Sequence, residues 1–183
     1  MTVSTSTGTG PATYQVAVTG TDGSVQQSTP YSLSVTAASP VSNGGFETNG
    51  LAGWTSSGPF TAATSTSPHS GSFAAQDGTT VPTNGLSSIA QTFTVAAGSS
   101  AVKFWWQMSC PDTVTYDWAI ATLKDNTTAT TTTVLPRICS NAGWTQVAAA
   151  ITAGHSYTLT LSSRDDNYPG DPSYTRYDDV TVS

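Results

Sequence analysis

A chain of 183 residues has room for one sandwich-sized domain and a little more, but not for two full enzymatic lobes. Only 9% of the residues are charged, Ser and Thr forming the polar surface instead, and the net charge is −6. The five basic residues, scattered as Lys103, Lys124, Arg137, Arg164 and Arg176, form no patch able to neutralise a phosphate backbone, which argues against nucleic acid and against an anionic membrane as partners.

No apolar run approaches the ~20 residues of a membrane-crossing helix, and Met1 is followed by the polar run Thr2 to Thr9 rather than by a secretory leader pattern. The chain therefore reads as a piece of something longer. Tyr14, Val16 and Val18 alternate with polar residues, Thr21-Asp22-Gly23-Ser24 makes a turn, and Tyr31, Leu33 and Val35 alternate again, which predicts a hairpin plus a further strand within residues 1–38. The spacing Tyr14-x-Val16-x-Val18-x-Gly20 and Tyr31-x-Leu33-x-Val35 resembles the last strands of a bacterial immunoglobulin-like module. Three short strands cannot bury a two-sheet core, so this segment must pack on a neighbour, pair with another copy or stay mobile. Strand-mediated self-association follows from the second option.

Residues 39–42, Ser39-Pro40-Val41-Ser42, read as a linker without packing surface. From Asn43 to Ser183 the period-two pattern predicts strands at Gly53–Ser56, Phe60–Thr64, Gly71–Gln76, Leu86–Val95, Ala101–Met108, Thr115–Leu123, Thr130–Ile138, Trp144–Ile151, His155–Leu161 and Arg176–Val182. No amphipathic helix interrupts them, so the fold class is all-β: an antiparallel β-sandwich of jelly-roll type, preceded by the partial immunoglobulin-like segment. Val102, Phe104, Trp106 and Met108 fall on one face of their strand and are expected in the core, with Lys103, Trp105, Gln107 and Ser109 on the other face. Trp54, Trp118 and Trp144 are expected to join Trp106 inside. Cys110 and Cys139 lack metal-ligand spacing and read as one disulfide, which implies an oxidising, extracellular setting.

Catalysis finds little support. The two histidines, His69 and His155, sit at turns, no Gly-x-Ser-x-Gly elbow occurs, and the Asp residues that could pair for glycoside hydrolysis lie in loops of another character. Asp165, Asp166, Asn167 and Asp171 fall within seven residues around Pro169-Gly170, the composition of a loop that wraps a hard cation such as calcium, with Asp117 as a partner from a neighbouring strand. Sugar rings stack on Trp and Tyr while Gln and Asn bond their hydroxyls, which selects Trp105, Gln107, Tyr168 and Tyr174 as a binding platform.

Two local sequences carry a more specific likeness. Asn43-Gly44-Gly45-Phe46-Glu47 with Gly53-Trp54, and the terminal Tyr177-Asp178-Asp179-Val180-Thr181-Val182, resemble the opening and closing segments of the CenC-like carbohydrate-binding jelly rolls of cellulases and xylanases, families 4, 9 and 22. The middle, with Cys110, Asp117-Trp118, Cys139, Trp144 and the 164–174 loop, resembles C-terminal modules of secreted bacterial peptidases, sedolisin-like ones included. The first resemblance implies a structural calcium where the first and last strands meet, held by Glu47 and the Asp178-Asp179 pair; alternation with Val180 and Val182 turns Asp178 inward. It further implies a non-catalytic, secreted accessory module that binds polysaccharide and is joined to upstream enzyme domains. The alternatives are a structural or adhesive sandwich, or a module that binds the protein substrate of a secreted peptidase.

Overall fold

A computed structural model describes residues 12–35 and 39–183. The chain divides into two compact units, 1–38 and 39–183. In the first, β1 (Ala12–Asp22) and β2 (Val25–Val35) form an antiparallel hairpin closed by a turn at Gly23. Its register places Val16 opposite Tyr31 and Val18 opposite Thr29 on one face, with Gln15 and Ser32 on the other. The further strand expected before residue 12 or up to Ala38 lies outside the described residues.

The second unit is a sandwich of two five-stranded antiparallel sheets, and among the described residues it has no helix. Its strands are β3 (Thr55–Ser57), β4 (Thr61–Thr64), β5 (Ala74–Gly78), β6 (Asn84–Thr94), β7 (Ala101–Ser109), β8 (Trp118–Asp125), β9 (Thr130–Ile138), β10 (Thr145–Ala150), β11 (Ser156–Asp166) and β12 (Tyr174–Val182). One sheet has the order β10-β7-β12-β5-β4 and the other β3-β6-β11-β8-β9, so strands distant in sequence pair throughout, as in a jelly roll. Between the sheets lie Ile89, Phe93, Val102, Phe104, Trp106, Met108, Leu123, Leu159, Leu161, Tyr177, Val180 and Val182. The expected inward face of β7 is therefore observed.

The opening segment explains itself sterically. Gly44 runs under the last strand, accepting a hydrogen bond from Val180 N at 2.9 Å, and a Cβ at this position would sit 2.0 Å from the Val180 carbonyl oxygen. Phe46 is fully buried and packs on Trp54 at 5.4 Å between centroids, while Trp54 Nε1 donates to Asn43 O. The residues read as a packing-free linker do pack: Val41 belongs to the core, Ser42 exchanges two hydrogen bonds with the Gln91 side chain, and Ser39 Oγ accepts from Val182 N at 3.2 Å.

Strand β8 departs from expectation. A turn in which Tyr116 N and Asp117 N both donate to Thr113 O delays the strand to Trp118. Its core face is then Ala119, Ala121 and Leu123, opposite Ser163, Leu161 and Leu159, and a slip of one residue exchanges every side chain between faces. Trp118 is accordingly buried on the outer face, under the Arg137 guanidinium at 4.1 Å, and not in the core. Val114 and Tyr116 are exposed. Trp144 is also outside the core; it stands half-buried with its ring edge-on to His69.

Candidate functional site

Three places bring together the residues that carry chemistry. The first lies on the outer face of the β10-β7-β12-β5-β4 sheet. Pairing sets Ser109 beside Tyr174, Gln107 beside Arg176 and Trp105 beside Asp178, and Arg176 beside Gln76 on β5. Arg176 is buried, its Nε donating to Gln76 Oε1 at 3.2 Å and its guanidinium lying 4.9 Å from the Tyr174 ring centre. Gln107, Ser109, Asn141, Tyr174 and Arg176 line a cavity of about 190 Å³, and Gln107 Oε1 is buried without a hydrogen-bond partner. Trp105 stands next to this cavity but is not free: the His69 ring stacks on it at 3.9 Å, 16° from parallel.

The second place is where the chain ends meet. Asp178 shares a face with Trp105, outside the sandwich, because the ladder between β12 and β7 shifts register between Asp178 and Thr181, where Asp179 has a φ of 48°. Simple alternation with Val180 had turned Asp178 toward the core. It is nonetheless 0% exposed, because the loop 69–73 covers it. Asp178 Oδ2 accepts His69 N and Ser70 N, and Oδ1 accepts Asp179 N. Asp179 takes His69 Nδ1 at 2.6 Å on one oxygen and the Ser70 hydroxyl at 2.8 Å on the other. Both Glu47 oxygens accept Ser72 N, and Oε1 also accepts Phe73 N. Burial raises the Asp178 carboxyl above its ordinary range, and the donated N–H groups partly offset this. All six carboxylate oxygens thus accept hydrogen bonds, and Glu47, Asp178 and Asp179 tie the 69–73 loop to the last strand. The residue types of a nucleophilic triad meet here too, but in the wrong order: Asp179 bridges Ser70 and His69, leaving no base on the hydroxyl.

The third place is acidic and differently built. Carboxylate oxygens of Asp112, Asp117 and Asp166 lie within 4.8 Å of one another. Asp117 is 0% exposed; Oδ1 accepts Asp166 N at 2.8 Å, but Oδ2 has no partner, and neither does the buried Oδ1 of Asp171. Burial pushes the Asp117 carboxyl up to about 6, the nearby Ser173 hydroxyl and the hydrogen bond from Asp166 N opposing the shift and the charges of Asp165 and Asp166 adding to it. Asp171 is raised by burial and then by the charges of Asp112, Asp166 and Asp165. A cavity of about 260 Å³ opens here between Asp112, Tyr116, Asp166, Tyr168 and Asp171. Such a cluster of oxygens can hold a divalent metal.

Of the residues expected around this cation, Asp117, Asp166 and Asp171 converge. Asp165 is turned away to accept Thr83 N and Ser173 N, and Asn167 is an exposed turn residue with a φ of 72°. Asp112 was missed. It follows Cys110 by two residues, and the Cys110–Cys139 disulfide is formed. Asn141 clamps the same segment, its Oδ1 accepting Cys110 N at 2.8 Å and its Nδ2 donating to Cys110 O at 2.9 Å. A half-cystine two positions away was the available signal. The sequence-predicted platform also divides: Tyr174 and Gln107 line the first cavity, whereas Tyr168 lines the acidic one. A further cavity, about 430 Å³ between β9 and β10, is lined mainly by Thr and Ala; its Asp125 is held by His155 and its Tyr157 hydroxyl by Thr152 N.

No protein-family model matches the chain, and no curated protein matches it in sequence. Solved structures do match in fold. TmCBM61, solved in complex with β-1,4-galactotriose, superposes with a TM-score of 0.62 at 15% identity, over 80% of this chain and 99% of its own. A module named Family 16 Carbohydrate Binding Module-2 gives 0.54 at 15% identity, over 79% and 99%. The K2 cleaved adhesin domain of Lys-gingipain gives 0.51 at 16% identity, over 76% and 96%. The resemblance to carbohydrate-binding jelly rolls is thus a resemblance of fold.

Proposed function

We propose that the 39–183 unit is a non-catalytic carbohydrate-binding module of an extracellular protein, holding polysaccharide on the outer face of the β7–β12 pair. The observation that carries this reading is the cavity beside Tyr174. It presents an aromatic ring backed by a guanidinium, and an unpartnered amide oxygen of Gln107 that a sugar hydroxyl would satisfy. The disulfide supports an oxidising compartment, and attachment to a secreted enzyme accords with accessory modules of this fold. In this reading calcium sits at Asp112, Asp117 and Asp166 with Asp171, where Asp117 Oδ2 and Asp171 Oδ1 are buried without donors, while Glu47, Asp178 and Asp179 secure the 69–73 loop.

Retention on insoluble xylan, galactan and cellulose tests it. Tyr174→Ala and Gln107→Ala, with melting curves unchanged, are expected to weaken retention at least tenfold, and equal retention of both variants would remove the site. A second reading, a structural or adhesive module, draws on the hairpin, whose Val25 and Tyr31 are 58% and 56% exposed. Failure of every glycan, with self-association at raised protein concentration, would favour it.

A further inference from the structure

The acidic cavity has features that a purely structural cation site does not need. Calcium takes six to eight oxygens, and the three clustered carboxylates with Asp171 leave coordination positions to be filled from the cavity side. Among the described residues the ion pairs are His69 with Asp179 and His155 with Asp125, so no Lys or Arg neutralises this cluster. The Arg164 guanidinium, two residues before Asp166, donates to the Tyr116 carbonyl. The unpartnered oxygens of Asp117 and Asp171 mark the site independently of the cluster's charge, because a buried acceptor without a donor is costly unless a ligand meets it. Two tyrosines, Tyr116 at 54% and Tyr168 at 62% exposure, border the same opening.

We infer that this cavity is a second, cation-dependent binding site, in which a calcium ion on Asp112, Asp117 and Asp166 receives adjacent hydroxyls of a sugar ring bordered by Tyr116 and Tyr168. The inference rests on calcium occupying the cluster, as proposed above. Adjacent hydroxyls are neutral oxygen donors suited to a hard cation, and an aromatic edge fixes the ring they belong to. The site differs from the Tyr174 cavity in needing metal, so the two can be separated by chelation.

Affinity electrophoresis of the full chain through soluble mannan, galactan and xylan, with calcium or with EDTA, separates the outcomes when calorimetry of calcium alone is run beside it. In a Tyr174→Ala background, retardation on at least one polysaccharide is expected to fall at least tenfold in EDTA and to return with calcium. Tyr168→Ala is expected to abolish that retardation while leaving the calcium heat intact. Asp166→Asn should lose both. Calcium binding without any metal-dependent retardation, or retardation indifferent to Tyr168→Ala, overturns this inference and leaves a structural ion. Absence of calcium heat from the unaltered chain overturns the calcium reading itself.

Discussion

Two acidic groups in one small sandwich meet opposite fates. Glu47, Asp178 and Asp179 stand where the opening segment of the sandwich meets its last strand; five of their six oxygens accept a hydrogen from the 69–73 loop, and Asp178 Oδ1 accepts Asp179 N. Asp112, Asp117, Asp166 and Asp171 stand at the other loop cluster with like charges for neighbours; Asp117 and Asp166 each accept one backbone N–H, while Asp117 Oδ2 and Asp171 Oδ1 are buried without donors. The number of carboxylates is similar; the environment decides whether they anchor backbone or await a ligand. Counting acidic residues therefore says less about a cation site than counting the hydrogens already pointed at them.

The largest expected effect comes from cutting the anchored group. Asp178→Ala leaves His69 N and Ser70 N without their acceptor under a covered loop, and it should cost about 2–3 kcal/mol in urea unfolding, equally with calcium or EDTA. A loss that calcium restores would show that the first group does hold metal. Next comes the ligand-awaiting group. A site occupied only in the folded state contributes about 2.7 kcal/mol at a hundredfold excess of ion over its dissociation constant, so calcium should raise Tm by several degrees. Asp112→Asn should remove that rise and Glu47→Gln should leave it, and the reverse pattern would exchange the roles of the two groups.

The smallest effect uses a third carboxylate as a control. Burial alone would raise Asp125, but hydrogen bonds from His155, Thr128 and Thr127 prevail and hold it at about 2, below its ordinary 3.8. A depressed pKa in the folded state stabilises the fold above the ordinary value, and this contribution is lost as the pH falls from 3.8 toward 2. Asp125→Asn should therefore flatten the acid limb of a stability profile between these values without altering the calcium response. An unchanged acid limb would show that the His155 contact is not formed in solution.

How far the sequence disclosed all this varied with the kind of signal. The β7 strand was legible because its two faces differ in kind, Phe104 and Trp106 against Lys103 and Gln107. The segment before β8 carries apolar residues at alternate positions without being a strand, so Trp118 was expected on a face that the 113–117 turn then reversed. Asp178 was found buried for a reason alternation does not contain, a register shift followed by a covering loop. Asp112 escaped because the acidic loop was assembled by neighbourhood in sequence, whereas a disulfide and the Asn141 clamp bring a second segment to it. Tyr174 and Tyr168, expected on one platform, line different cavities, since faces of different loops cannot be compared along a chain.

The contact of Val182 N with Ser39 Oγ, 3.2 Å long, places both ends of the sandwich at one spot. A longer polypeptide would enter and leave this unit through the same doorway, so the unit can hang from a host chain as a side pendant without forcing its flanking domains apart. By the same geometry the two ends of this unit could be joined by a short bridge and the chain reopened at the exposed 126–129 turn, with every strand neighbour within the unit kept.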